Sequence, residues 1–218
     1  MATATAREAV PMNSILLADA GKRFNRDWVF RHLTHTFRQG AHTVILGPNG
    51  SGKSTLLQVI LGSLTASEGT VIYELSGEQY EVDEGLGMFS IATPYLELVE
   101  EFTLREMLAF HSSLIPFRND LSHDAFVSTL YLEDAADRAI KHYSSGMRQR
   151  VKLGLALLSD TPFVLLDEPT ANLDSKATDW YGRLVNDNMH NRIIIVCSNA
   201  QEQDYFFCTE RISLDDFK

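Results

Sequence analysis

Gly47-Pro48-Asn49-Gly50-Ser51-Gly52-Lys53-Ser54-Thr55 follows the run Thr43-Val44-Ile45-Leu46 and leads into a helical pattern from Ser54 to Leu61. A glycine-rich turn between a buried strand and a helix lets the backbone curl, so that successive N–H groups converge on phosphate oxygens and the helix adds its positive end. In that setting the Lys53 ammonium reaches β- and γ-phosphates, and the Ser54 hydroxyl can ligate Mg2+. The stretch predicts an α/β core built around a phosphate site. A glycine-rich surface turn is the bland alternative, and the flanking strand and helix argue against it.

Working outward, the runs Phe163-Val164-Leu165-Leu166 and Ile193-Ile194-Ile195-Val196 are apolar on both faces, as strands of a covered parallel sheet must be. They alternate with helical stretches, Arg148 to Leu158 and Lys176 to Met189. The first run ends in Asp167-Glu168. Asp167 is placed to hold Mg2+ through its water shell, and Glu168, just past the strand end, to polarise an attacking water. Nearer the N-terminus, Ile15 to Leu17, Trp28 to Phe30 and Leu33 to Phe37 have strand composition. Thr70 to Glu74 pairs with Gln79 to Val82 across Ser76-Gly77-Glu78, which predicts an antiparallel layer. Between the two patterns, Leu104, Met107, Leu108 and Leu114 recur at helical spacing, a break follows over Pro116 to Asp120, and a short helix runs from about Ser122 to Leu130. This reads as a helical lobe inserted at about 97–159.

Composition narrows the function. With 19 Lys and Arg against 29 Asp and Glu, the formal charge is −10, which disfavours a nucleic-acid partner. Hydrophobic content of 44% suits one globular domain of 218 residues. The longest apolar runs, such as Phe163 to Leu166 and Ile193 to Cys197, are far shorter than the ~20 residues of a spanning helix. Cys197 and Cys208 lack zinc or redox spacing and are expected to be reduced and structural. His32 and His35, three apart, have no acidic or cysteine neighbour in sequence and are read as ordinary strand residues. Met1 to Asn13 has no apolar core of a signal peptide and is expected to be a tail preceding a domain at 14–218, with Met12 a possible start.

Tyr143-Ser144-Ser145-Gly146-Met147-Arg148-Gln149-Arg150 resembles the signature segment, L-S-G-G-Q or L-S-G-G-M-K-Q-R, of ATP-binding cassette (ABC) ATPases. Asp167-Glu168-Pro169-Thr170-Ala171-Asn172-Leu173-Asp174 is similar to that family's D-E-P-T-x-x-L-D run. The resemblance runs from about Ile15 onward. It implies a P-loop NTPase core with an antiparallel β layer and an inserted helical lobe, binding ATP and Mg2+ and hydrolysing ATP with Glu168 as base. It implies a head-to-tail homodimer or heterodimer of ATPase subunits, in which Ser144, Ser145 and Gly146 of one copy meet the γ-phosphate held by Lys53 of the other. Asn172 and Asp174 would face the partner, and Phe24 would stack on adenine. Separate transmembrane transporter subunits are implied, with this chain peripheral on the cytoplasmic face of the membrane. Leu96, Leu98, Val99 and Phe102, interspersed with Glu97, Glu100 and Glu101, are the candidate docking surface, with a place in the core of the lobe as the alternative.

Three departures qualify the resemblance. The family's glutamine before the helical lobe has no counterpart in Thr93-Pro94-Tyr95-Leu96-Glu97, where Tyr95 or Glu97 lies near its place. The signature carries Ser145 and Met147 where Gly and Gln are usual. Asn199, in Ile195-Val196-Cys197-Ser198-Asn199, stands where a switch histidine is expected after the last core strand. That last change keeps alive a rival reading, a nucleotide-gated dimerising module with weak hydrolysis. An ABC ATPase acting on DNA or ribosomes would bring long coiled coils or tandem cassettes, and a small-molecule kinase would leave the signature run unexplained.

Overall fold

The computed structural model describes residues 12–85 and 87–218, so most of the expected tail lies outside the described residues. Two long antiparallel strands come first, β1 (Ser14–Phe24) and β2 (Asp27–Arg38), followed by β3 (Thr43–Leu46) and helix α1 (Lys53–Leu61). The chain then returns to the first layer as β4 (Glu68–Leu75) and β5 (Glu78–Tyr80), giving the order β2-β1-β4-β5. Ile15 pairs with Phe37 on one side and Tyr73 on the other, and all three are buried on the inner face. The expected hairpin forms, with Tyr73 opposite Tyr80 and Glu74 opposite Gln79. It stops at Tyr80, short of Val82, because Glu81 caps a 3-10 turn over Val82–Glu84 through a reciprocal capping box with Glu84.

The rest of the chain is β6 (Phe89–Ala92), α2 (Leu104–Leu114), α3 (His123–Thr129), α4 (Ser145–Leu158), β7 (Phe163–Asp167), α5 (Ser175–Asn188), β8 (Ile193–Ser198), α6 (Glu202–Tyr205) and β9 (Glu210–Ser213). Five strands form an all-parallel sheet in the order β6-β7-β8-β3-β9. Its middle strands are covered on both faces. Phe163, Leu165, Ile193 and Ile195 join a core shared with α1 and the antiparallel layer, whereas Val164, Leu166, Ile194 and Val196 join the core of the helical lobe. Two-sided burial is the reason these runs are uninterrupted. Cys197 and Cys208 are both free thiols, and burial raises the pKa of each, that of Cys208 to about 12.

In the lobe, the Thr103 side chain caps α2 and Glu106 closes a capping box with it, so the helix starts one residue later. Leu104, Met107 and Leu108 are buried as expected, but Leu114 is 69% exposed. The half-buried His111 and Ile115 extend that stripe instead, since they lie on the i, i+3, i+4 rows of Leu108 and Leu104. Helix α4 begins at Ser145, not at Arg148, because the Ser144 hydroxyl accepts the Met147 amide at 3.2 Å. Gly154 lets α3 approach: a Cβ there would lie 2.7 Å from Leu130 and 3.0 Å from Phe126.

Candidate functional site

Parallel strands aim their C-terminal ends at one sheet edge, and the chemistry-bearing residues leave from there: Gly47 after β3, Asp167 at the end of β7, Asn199 after β8. Gly50 and Gly52 take left-handed conformations with φ of 80° and 102°. At Gly52 a side chain is also excluded sterically, because a Cβ would come within 2.2 Å of Val29 on β2. Together they close a tight loop in which the Ser51 amide donates to the Pro48 carbonyl at 3.1 Å. Lys53 is buried, and its ammonium donates to the carbonyls of Gly47 at 2.8 Å and Pro48 at 3.1 Å. The buried Ser51 hydroxyl has no hydrogen-bond partner among the described residues, and the Ser51 carbonyl accepts from the Lys218 ammonium at 2.6 Å.

Across the cleft, the Ser54 hydroxyl donates to Asp167 Oδ2 at 2.6 Å. Burial raises the pKa of Asp167, the Ser54 hydrogen bond opposes that shift, and the charge of neighbouring Glu168 adds to it. Glu168 holds φ of 47°, an unusual value for a residue with a side chain, and its amide donates to the Cys197 carbonyl at 2.9 Å. Val29, Asn49, Gly50, Gly52, Lys53, Ser54, Thr55, Pro94, Asp167 and Glu168 line a cleft of about 390 Å³. These features fit a nucleotide and its metal. The Ser51 hydroxyl has no partner among the described residues, and Ser54 with Asp167 offers the hard oxygen donors that Mg2+ takes.

Glu168 also lines a second cleft, of about 250 Å³, with Pro94, Glu97, Leu98, Glu100, Ser145, Arg148, Gln149, Lys152, Ala171 and Asn172. The signature segment and the run after Asp167 therefore meet. A Cβ on Gly146 would be 3.1 Å from the Asn172 carbonyl, and the buried Gln149 amide donates to the Pro169 carbonyl at 2.8 Å. Ser144 caps α4, and Asp174 caps α5 by accepting the Ala177 amide at 2.8 Å. Asn172 is left-handed, with φ of 64°.

Other expected residues stand apart from the loop cleft. Phe24, at the end of β1, is 49% exposed, and the Lys22 ammonium lies 5.2 Å from its ring centroid; from the antiparallel layer it is Val29 that lines the cleft. Asn199 is exposed and does not line that cleft. Near the missing glutamine, Pro94 borders both clefts, while burial raises the pKa of the Tyr95 phenol and Asp167 adds to the shift. His32 sits 2.8 Å from Asp19 and His35 lies 3.5 Å from Glu210, partners that are distant in sequence. Sequence reasoning missed Val29 and Lys152. The Lys152 ammonium on α4 donates to the carbonyls of Thr93 at 3.2 Å and Pro94 at 3.4 Å, a contact with no local sequence signal.

The ABC transporter family matches residues 30–171. The chain is 34% identical over 169 residues to the sn-glycerol-3-phosphate import ATP-binding protein UgpC of Paracoccus denitrificans, an alignment covering 76% of this chain and 47% of that protein. It is 32% identical over 167 residues to the Nod factor export ATP-binding protein I of Rhizobium johnstonii, covering 75% and 54%. This chain thus spans about half the length of either relative. In fold it is similar to a putative ABC transporter ATP-binding protein from Pyrococcus furiosus, with a TM-score of 0.78 at 19% identity over 94% of this chain and 99% of that one. The family match spans the nucleotide loop, the signature segment and the Asp167-Glu168 strand end described above, and on that ground the chain belongs to the ABC transporter family.

Proposed function

We propose that this chain binds ATP with Mg2+ at the Gly47–Thr55 loop and hydrolyses it, powering transport through separate membrane subunits. The observation that carries the reading is the convergence of Lys53, the Ser54–Asp167 pair and Glu168 on one cleft at the C-terminal edge of the sheet. On binding, Lys53 exchanges the Gly47 and Pro48 carbonyls for phosphate oxygens, and the Ser51 hydroxyl gains a partner. Ser54 and Asp167 would hold Mg2+, which when bound would supply neutralisation of phosphate charge. Glu168 accepts a proton from the attacking water. The half-exposed Phe24 ring is available to stack on adenine. Ser144, Ser145 and Gly146 present the N-terminus of the 14-residue helix α4, which suits them to close on the γ-phosphate of a second copy, in a homodimer or heterodimer with Asn172 and Asp174 at the contact.

No helix among the described residues is long and apolar enough to cross a membrane. Leu96, Val99, Phe110 and Leu114 are exposed apolar residues before and along α2, and they support docking of membrane subunits there, with the chain peripheral on the cytoplasmic face. Leu98 and Phe102 pack inward on the lobe core, so they do not belong to that surface. Glu168→Gln tests the assignment. ATP binding should persist while turnover falls by about 10²- to 10⁴-fold, and unchanged turnover in the purified variant overturns it. The exposed place of Asn199 favours a second reading, an ATP-gated dimer with little hydrolysis. Single-turnover assays separate the two, since a dimer that forms with ATP and leaves it intact supports the second.

A further inference from the structure

We propose that Asp204 is a positioning residue for hydrolysis, tying the segment that follows Glu168 to the strand end that precedes Asn199. The inference rests on the reading of Glu168 as the base. Asp204 is 2% exposed, on the short helix α6, and both carboxylate oxygens are used inward. Oδ1 accepts the Thr170 amide at 3.1 Å and the Thr170 hydroxyl at 2.5 Å, while Oδ2 accepts the Ser198 hydroxyl at 2.6 Å. Its backbone carbonyl accepts the hydroxyl of Tyr181, which is fully buried on α5. One residue therefore gathers three segments: the run after β7, the end of β8, and the helix that follows Asn172 and Asp174.

Two observations say that this cluster does more than fill space. Asp204 has no ion-pair partner among the described residues, and a buried carboxylate without a cation is costly unless its oxygens are fully occupied. The cluster is also bracketed by strained backbone, since Glu168 holds φ of 47° and Ala200 holds φ of 79°. Side-chain-bearing residues keep such angles only where the surroundings over-determine them. Thr170 lies two residues after Glu168, and Ser198 immediately before Asn199. The bonds from Asp204 to those two residues fix the relative position of the two strained turns, and so the direction in which Glu168 enters the cleft. A displacement of about 1 Å in a reacting group costs up to about 10²-fold in rate.

The test uses the full chain under conditions in which the parent hydrolyses ATP, with Asp204→Asn and Ser198→Ala compared for kcat, KM and thermal midpoint. Asp204→Asn keeps the shape but turns one acceptor into a donor facing Thr170 or Ser198. It should lower kcat by about 10-fold or more with KM for ATP nearly unchanged. Ser198→Ala cuts the β8 tether, together with the bond from the Gln201 amide to the Ser198 hydroxyl at 3.2 Å, and should give a smaller drop in kcat. The double variant should be no worse than Asp204→Asn alone, because both break the same link. A folded Asp204→Asn protein with parental kcat overturns the inference while leaving the role of Glu168 intact, as does an equal loss of kcat and ATP affinity that follows the thermal midpoint. If Asp204→Asn does not fold, Ser198→Ala decides, and parental kcat there overturns the inference. A parent with no turnover, indistinguishable from Glu168→Gln, overturns both readings.

Discussion

Asn199 and Lys53 stand at opposite ends of what can be read one residue at a time. Lys53 belongs to a fixed spacing whose physics is local, a glycine turn followed by a helix start, and the structure puts its ammonium on the loop. The approach of Val29 to Gly52 and the bonds from Thr170 to Asp204 join residues far apart in the chain, so no local pattern announces them. Asn199 was legible as a departure, and its exposed position makes it testable. An imidazole there reaches farther and can carry charge as the transition state forms, whereas the asparagine amide is short and neutral. One transition-state donor contributes about 10²–10³ in rate, and a partial substitute less. Asn199→His is therefore expected to raise kcat several-fold with little change in ATP affinity. Steady-state rates under dimer-forming conditions check this, and an unchanged rate in a brisk parent means that this position does not limit chemistry.

The longer helices were legible from periodicity, whereas the four-residue α6 and short strands of mixed polarity were not. β6 reads Phe-Ser-Ile-Ala because the Ser90 hydroxyl is buried against the Ala156 carbonyl at 2.6 Å, and β9 alternates because it is an edge strand. The least expected support for an element is Arg192, just before β8 and 1% exposed. Its guanidinium donates to the carbonyls of Leu157 at 2.7 Å, Ser159 at 2.9 Å and Thr161 at 2.8 Å. It thereby closes the C-terminal end of α4, whose N-terminal end carries the signature residues. Burial pulls its pKa down to about 9, so it remains charged at neutral pH. Arg192→Ala removes the guanidinium from the buried Leu157 and Thr161 carbonyls, while the Ser159 carbonyl keeps the Thr161 amide at 3.1 Å, at a cost of about 3 kcal/mol. For a chain of this size that is a fall of roughly 6–12 °C in thermal midpoint. Calorimetry that finds parental stability would show that water replaces the guanidinium.

For the molecule as a whole, acid should act first through histidine. Burial lowers the pKa of His35, His42 and His111 below the usual 6.5, with Arg38 adding to the shift at His35 and Glu210 opposing it. The unfolded chain takes up protons near pH 6.5 while the folded one resists. The stability these groups contribute is complete above that value and is lost as pH falls through it toward the folded pKa values. Urea midpoints should drop between about pH 7.5 and 5.5, a window in which exposed carboxylates stay ionised. His111→Gln should flatten the slope, and a parent whose midpoint holds constant or rises across the window would contradict the account. The sheet itself has a further consequence. Because β7 and β8 give alternate side chains to opposite cores, they act as a party wall: stripping away either the antiparallel layer or the helical lobe would bare a row of isoleucine, valine, leucine and phenylalanine to solvent. Neither half is a candidate for independent expression, and an excised fragment is an aggregation hazard.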